Sequence, residues 1–528
     1  MQPPRCAVAS PHVLATEAAT ASIRRGGNAI DAALSAALAL TVVYPHNTSL
    51  GGDLIALVRD VDGSIVCINS SGPASRHADV DTYRARYAER MPVSGIDTVT
   101  VPGAVAGLGA LYDLGASLPW RDHFVDPLRY ATLGVPVAPS VAMALDESRH
   151  LVAQDPGMSS LFLKNGEPLR ADDVLRQPAL AASLLALAEN GPRSLYEGEL
   201  SEALIRGLSK LGSQLDKDDF SSFRPSVEKP LHGTYRGWDV WTSGPNTQGF
   251  ALLEILGALD TLGDQCQPLS HDAGLLTELF RVSTTDRERA LADPIFVGDT
   301  VSELLTPSYL LDLAAKAMRD VEGAKSRGSV LGNHPRGDTV AVVTADEDGR
   351  AVCLIQSLFH SFGSVILEPT TGIILHNRGS FFSLSPTSLN VLAGGKRPAH
   401  TLMPVMVTKG GDLSWVIGTM GGKAQPQILA QVLLRIFAGE SPSDAVSAPR
   451  WIVGGLEVDK VDEIAFVESS ITEQVRRAVN RSIPIEGIPF HDERTGHTQL
   501  VAVQSDGELI AVSDPRSDGE GHVEEASA

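Results

Sequence analysis

Two strand-like runs that meet at an Asp-Gly turn constrain this chain more than any other stretch. Thr339-Val340-Ala341-Val342-Val343-Thr344 leads through Asp348-Gly349 into Ala351-Val352-Cys353-Leu354-Ile355-Gln356-Ser357. β-Branched and apolar residues on either side of Asp-Gly specify an antiparallel hairpin. A turn centred near Asp348-Gly349 makes paired positions sum to about 697 and sets Thr339 opposite the region of Ser357. A threonine that opens a strand behind Gly337-Asp338 and faces a second hydroxyl has the form of a nucleophile unmasked by cleavage of the Asp338–Thr339 bond. Its new α-amine, with a pKa of about 8, can act as a general base near neutral pH. The same tripeptide alone also reads as a turn and strand start, so the rest of the chain decides.

With 528 residues, 43% of them hydrophobic and 20% charged, the chain can bury a large core. A formal charge of −21 without any Lys/Arg cluster argues against a nucleic-acid partner. Met1–Pro11 lacks a basic segment followed by an apolar one, so no secretory signal is expected. Ala29–Val43 is too short and too rich in Ala and Ser to span a bilayer, so no membrane partner is expected either. Cys6, Cys67, Cys266 and Cys353 form no CxxC pattern and indicate neither zinc nor a disulfide framework. These features favour the cytoplasm.

Helical spacing predicts helices over Val13–Arg25 and, capped by Asn28, over Ala29–Val43. A glycine-rich turn, Tyr44 to Asp53, then precedes a hairpin of Leu54–Val58 and Ser64–Ile68. Asp81 to about Arg327 is mainly helical, with Leu180–Glu189 and Leu275–Ala292 as clear helices and Trp238–Ser243 as a strand. Gly323–Gly337 reads as an exposed linker just before Thr339. Beyond it, strands are predicted at Ser364–Leu367, Gly372–His376, Thr401–Thr408, Leu413–Gly418, Ile464–Val467 and Thr498–Val503, with a helix at Pro426–Phe437. Ser513–Ala528 is acidic and reads as frayed. Strands and helices at both ends of the sequence suggest one α+β fold, an α/β/β/α sandwich built from both halves.

Several stretches together resemble the γ-glutamyltransferase family of N-terminal nucleophile hydrolases. They include Gly26-Gly27-Asn28-Ala29-Ile30-Asp31-Ala32-Ala33, Gly51-Gly52, Thr98 to Gly103, Gly337-Asp338-Thr339, Gly395-Lys396-Arg397-Pro398, Met420-Gly421-Gly422 and Ala448-Pro449-Arg450-Trp451. The resemblance implies a four-layer αββα fold and autocleavage at Asp338–Thr339. A large piece, residues 1–338, and a small piece, residues 339–528, would form one unit; a dimer of that unit stays open. Thr339 Oγ would then be the nucleophile, Ser357 would orient it or its amine, and the N–H groups of Gly421 and Gly422 would form the oxyanion hole. Neither metal nor cofactor is implied.

The departures from the family's glutathione-cleaving members bear on substrate. Ile68-Asn69-Ser70-Ser71-Gly72-Pro73-Ala74 lacks the arginine that grips the substrate α-carboxylate there, and Phe381 stands where an acidic side chain holds the α-amine. His400-Thr401 replaces a serine pair, and the segment from Phe382 to Gly395 is shorter. Arg378 adds a guanidinium, which binds a carboxylate by two parallel hydrogen bonds. Ile355 to Gly363, with Asn377-Arg378-Gly379, is similar to the oxamate amidohydrolase branch and to carbon–carbon hydrolases that release an oxalyl group from proline-derived antibiotic precursors. A small-molecule substrate carrying a carboxylate is expected, with Arg378, His400, Thr401, Phe359, His360 and Asn69 as binding candidates. A γ-glutamyl substrate, a β-lactam side-chain acylase activity and an inactive scaffold are the alternatives. Each candidate also has a structural reading: Arg378 paired with a buried carboxylate, the histidines satisfied internally, and the phenylalanines in the core.

Overall fold

The computed structural model describes residues 5–263, 266–323, 337–454 and 464–525. Its centre is the expected hairpin: Gly337–Asp346 pairs antiparallel with Ala351–His360. The Asp346 carboxylate shapes the turn by accepting from the N–H groups of Asp348 and Arg350, and its other oxygen accepts from the N–H of Ala29. One acidic side chain thus ties the turn to the start of the Ala29–Val43 helix.

That helix has the predicted bounds. Asn28 Oδ1 accepts from the N–H groups of Ile30 and Asp31, while Asp31 returns a bond to the Asn28 N–H, a reciprocal cap that fixes the first turn. Every residue of the helix is buried, in keeping with its apolar circumference.

The hairpin sits in a seven-stranded sheet, in the order Glu520–Glu525, Arg5–Ser10, Gly337–Asp346, Ala351–His360, Asp53–Arg59, Ile65–Ser70 and Ser226–Glu228. A second sheet runs Leu509–Ser513, Thr498–Val503, Asp412–Thr419, Val405–Lys409, Trp238–Thr242 and Leu231–Tyr235. Strand alternation makes the layers. Val340 and Val342 face a helical core that includes Ala29–Val43, whereas Ala341, Val343 and Ala345 pack between the sheets against Met406, Val416 and Val501. Val405, Val407 and Ile417 face a second helical core containing Leu252–Leu259 and Leu429–Leu434. The result is helix, sheet, sheet, helix.

The chain's last segment differs from expectation. Ser513–Ala528 was to be frayed, yet Glu520–Glu525 pairs with Arg5–Ser10 along its length, from Arg5 opposite Glu525 to Ser10 opposite Glu520. Its acidic, glycine-containing sequence has little strand propensity, and the pairing with a strand from the other terminus supplies the order. The strand predicted from Thr401 begins at Val405, directly after Pro404, which has no N–H to give to a ladder. The Ser364–Leu367 and Gly372–His376 strands shrink to Leu367–Glu368 and Ile373–Ile374. Most of the Gly323–Gly337 linker lies outside the described residues. Among those described, no helix is long and apolar enough to cross a membrane.

Candidate active site

The hairpin is regular until it reaches Thr339. Val340 lies opposite Gln356, but Asp338 lies opposite Phe359, so Ser357 and Leu358 together face Thr339. Such a bulge re-aims a side chain locally. Here it brings Thr339 Oγ1 to 3.1 Å from Ser357 Oγ, with both residues buried. Ser357 Oγ also accepts from the Phe359 N–H at 2.8 Å. Asn47 Nδ2 donates to the Thr339 carbonyl at 3.5 Å, and the Asn47 carbonyl accepts from the Leu358 N–H.

Phe359 has φ +84°, a strained conformation for a side chain of its size. The distortion lays its ring against the Arg378 guanidinium, 3.9 Å from carbon to ring centroid. Arg378 opens a short 3-10 turn, Arg378–Phe381, whose preceding residue is stapled to the hairpin: the Asn377 N–H donates to the Leu358 carbonyl, and Asn377 Oδ1 accepts from the His360 N–H. Arg378 Nη1 donates to Thr401 Oγ1 at 3.2 Å. Its Nε and Nη2 are buried and have no hydrogen-bond partner among the described residues. Among the described residues no carboxylate forms an ion pair with this guanidinium. Burial pulls its pKa down, and the charge of Asp53 opposes that pull.

His360 Nε2, also buried, has no hydrogen-bond partner among the described residues, and burial followed by the charges of Arg378 and Lys423 lowers that ring's pKa to about 3. His360 is therefore a neutral ring beside a cation. A buried arginine with two unused donor atoms and a neutral histidine beside it form a polar cluster suited to an anion.

His400 is placed differently from its neighbour. Its Nδ1 accepts from the Leu402 N–H at 3.3 Å, which assigns the proton to Nε2, 3.2 Å from Asp53 Oδ2. Both ring nitrogens are thus used within the protein, leaving none for a ligand. Burial, then the Arg378 charge, lowers the His400 pKa to about 3. Asp53 accepts further bonds from the N–H groups of Gly72 and Gly103, and His376 Nδ1 lies 3.2 Å from it without hydrogen-bond alignment. Burial pushes the Asp53 pKa up, yet His376 and His400 hold it well below the usual carboxylate range. Asn69 is likewise spent internally, donating to Asn246 Oδ1 and accepting from Ser71. Thr401 reaches the site through Arg378, which it supports.

Gly421 and Gly422 follow the Asp412–Thr419 strand and lead into the Gln425–Phe437 helix, a position where backbone N–H groups stay free of the helix ladder. Gly421 has φ +142°, and a Cβ there would lie 2.4 Å from Ile428 Cδ1. Only glycine fits. Gln248 joins this turn to Thr401 beside Arg378, donating to the carbonyls of both Gly422 and Thr401, and Arg287 in turn donates to Gln248 Oε1. Contacts therefore run unbroken from Thr339 through Ser357, Phe359, Arg378, Thr401 and Gln248 to Gly422. Sequence reading found the ends of this path but not Asn47, Asp53, Gln248 or His376, which have no motif spacing and meet only in the fold. The Asp338 side chain lies outside the described residues. Among those described, no cluster of His, Cys, Asp and Glu could hold a metal ion.

Comparison with known proteins shows the family. The gamma-glutamyltranspeptidase family model matches residues 15–523. The glutathione hydrolase-like YwrD proenzyme of Bacillus subtilis is 35% identical over 521 residues, 97% of each chain. The oxamate amidohydrolase proenzyme of Klebsiella pneumoniae is 35% identical over 519 residues, again 97% of each. Among solved structures, cephalosporin acylase from Bacillus halodurans superposes with a TM-score of 0.88 at 30% identity, over 99% of this chain and 96% of that one. On sequence, fold and the threonine at the centre of the sheet, the chain belongs to the gamma-glutamyltranspeptidase family and is a hydrolase of the N-terminal nucleophile kind.

Proposed function

We propose that the chain cleaves itself at Asp338–Thr339 and then hydrolyses a small amide whose attacked carbonyl is bonded directly to a carboxylate, as in oxamate. The observation that carries this reading is Arg378, buried, holding two unpaired donor atoms among the described residues, and stacked on Phe359, whose N–H bonds the Ser357 hydroxyl that meets Thr339. The proenzyme names of the two relatives support self-cleavage, and the activity named for one supports the substrate class.

In maturation, Thr339 Oγ1 attacks the Asp338 carbonyl, the peptide C–N bond breaks as an ester forms and so frees the Thr339 amine, and water then hydrolyses the ester to release the Asp338 carboxylate and the Thr339 hydroxyl. In turnover, that amine takes the proton of Thr339 Oγ1 as the oxygen attacks the amide carbonyl. The carboxylate next to this carbonyl lies on Arg378, with His360 beside it. The N–H groups of Gly421 and Gly422 receive the developing oxyanion. The amine then protonates the leaving nitrogen, ammonia departs from oxamate, and an oxalyl ester remains on Thr339. Water activated by the same amine hydrolyses this ester and releases oxalate. Ser357 holds Oγ1 in place throughout.

Ammonia and oxalate release by the self-cleaved protein, with oxamate and with a γ-glutamyl anilide in parallel, tests this. Oxamate is expected to be turned over with kcat/KM at least tenfold higher, about 1.4 kcal/mol in barrier. Preference for the γ-glutamyl compound would overturn the assignment of Arg378.

A further inference from the structure

Three of the segments that carry the site continue into the walls of one cleft of about 330 Å³. Ser380 and Phe381 follow Arg378, Ala399 precedes His400, and Lys423 follows Gly422; all four line it. Part of its lining is apolar. Leu291, Phe381 and Ala399 belong to one buried cluster with Phe359, the ring under Arg378, and Phe381 lies 5.4 Å from that ring. Its charged lining includes Glu89, Arg90, Arg287, Glu288 and Lys423, with Arg287 and Lys423 joined to the Glu288 carboxylate by ion pairs of 2.9 and 3.1 Å. The cleft adjoins Arg378 and Thr339 through these neighbouring residues and is not lined by either, so an amide as small as oxamate, gripped at Arg378, would not reach into it.

Resting on the oxalyl reading above, we propose that the substrate is an N-substituted oxamic acid. Its amine part is an extended apolar group that lies along Leu291, Phe381 and Ala399 while the oxalyl end sits on Arg378. The charged lining, Arg90, Arg287 and Lys423 against Glu89 and Glu288, offers no excess of anions to an amine part bearing an ammonium. The reaction balances as for oxamate: the C–N bond breaks, the amine leaves with the proton from Thr339, and water completes oxalate release.

The test uses the self-cleaved protein with oxamate, N-methyl, N-butyl and N-hexyl oxamate, and N-(4-aminobutyl) oxamate. The alkyl amines are of similar basicity, so their comparison reports the cleft and not the leaving group. Each buried methylene contributes about fourfold, so kcat/KM is expected to rise at least tenfold from N-methyl to N-butyl. The aminobutyl compound should fall at or below N-methyl. In Ala399→Phe, with an unchanged melting temperature, the butyl-to-methyl ratio should collapse towards one. Turnover of oxamate with a flat or falling alkyl series would overturn this proposal and leave the oxalyl reading standing. Failure of every oxamate, in protein shown to be cleaved, would overturn the oxalyl reading and this proposal with it.

Discussion

Arg378 makes the residue-scale argument. A buried guanidinium without a carboxylate partner destabilises the fold, because desolvation is offset only by one hydrogen bond and the Phe359 ring. Such a group is retained at a cost when it serves a ligand. Arg378→Met is therefore expected to keep or raise the melting temperature while lowering kcat/KM for oxamate by about a hundredfold or more. A large drop in melting temperature would make Arg378 structural. Arg378→Lys keeps the charge but loses the fork, and about a tenfold to hundredfold loss in kcat/KM is expected. At this scale the sequence was legible where one residue type announces a task, as Thr339 and Arg378 do. It was not legible for His400, whose pairing with Asp53 spans 347 positions, and which looked like a ligand contact until both ring nitrogens were accounted for.

Elements position these residues through the bulged hairpin and the Gly421-Gly422 turn. Ser357→Ala removes the partner of Thr339 Oγ1 and of the Phe359 N–H, which should slow both self-cleavage and turnover, the latter about tenfold, with little change in melting temperature. Time courses on denaturing gels and steady-state rates would show it, and wild-type rates in both would remove Ser357 from the site. Local signals found the elements that local chemistry specifies: the Asp-Gly turn and the Asn28 cap set their boundaries almost to the residue. The bulge at Thr339 left no sequence mark, because it depends on Asn47 and Asn377 bonding the strand that faces it. The Glu520–Glu525 strand escaped for a related reason, since its order comes from a partner at the opposite end of the chain.

For the whole molecule, stability is linked to pH through histidines held neutral by burial. His12 and His497 are lowered to about 4, and His360 and His400 to about 3, with burial the largest cause for each. In the unfolded chain each titrates near 6.5. Their contribution is fully present above that value and is lost as pH falls, because the unfolded chain then binds protons that the fold refuses. The loss is about 1.4 kcal/mol per pH unit for each histidine between about pH 6 and 4, and below about pH 4 protonation of the depressed Asp53 carboxylate adds to it. Melting temperature should fall steeply from pH 7 to pH 5, and a flat profile would show that these rings are hydrated. The layered architecture itself was visible in the alternation of strand residues, Val340 and Val342 to one face and Ala341 and Val343 to the other.

The central claim is that Thr339 becomes a chain terminus. Intact mass and N-terminal sequencing of the purified protein test it most directly. Two pieces of about 36 and 20 kDa, shares of the 55.8 kDa chain, are predicted, the smaller beginning at Thr339, with Thr339→Ala remaining whole. A wild-type chain that stays full-length on incubation, or a small piece that begins elsewhere, would contradict the account.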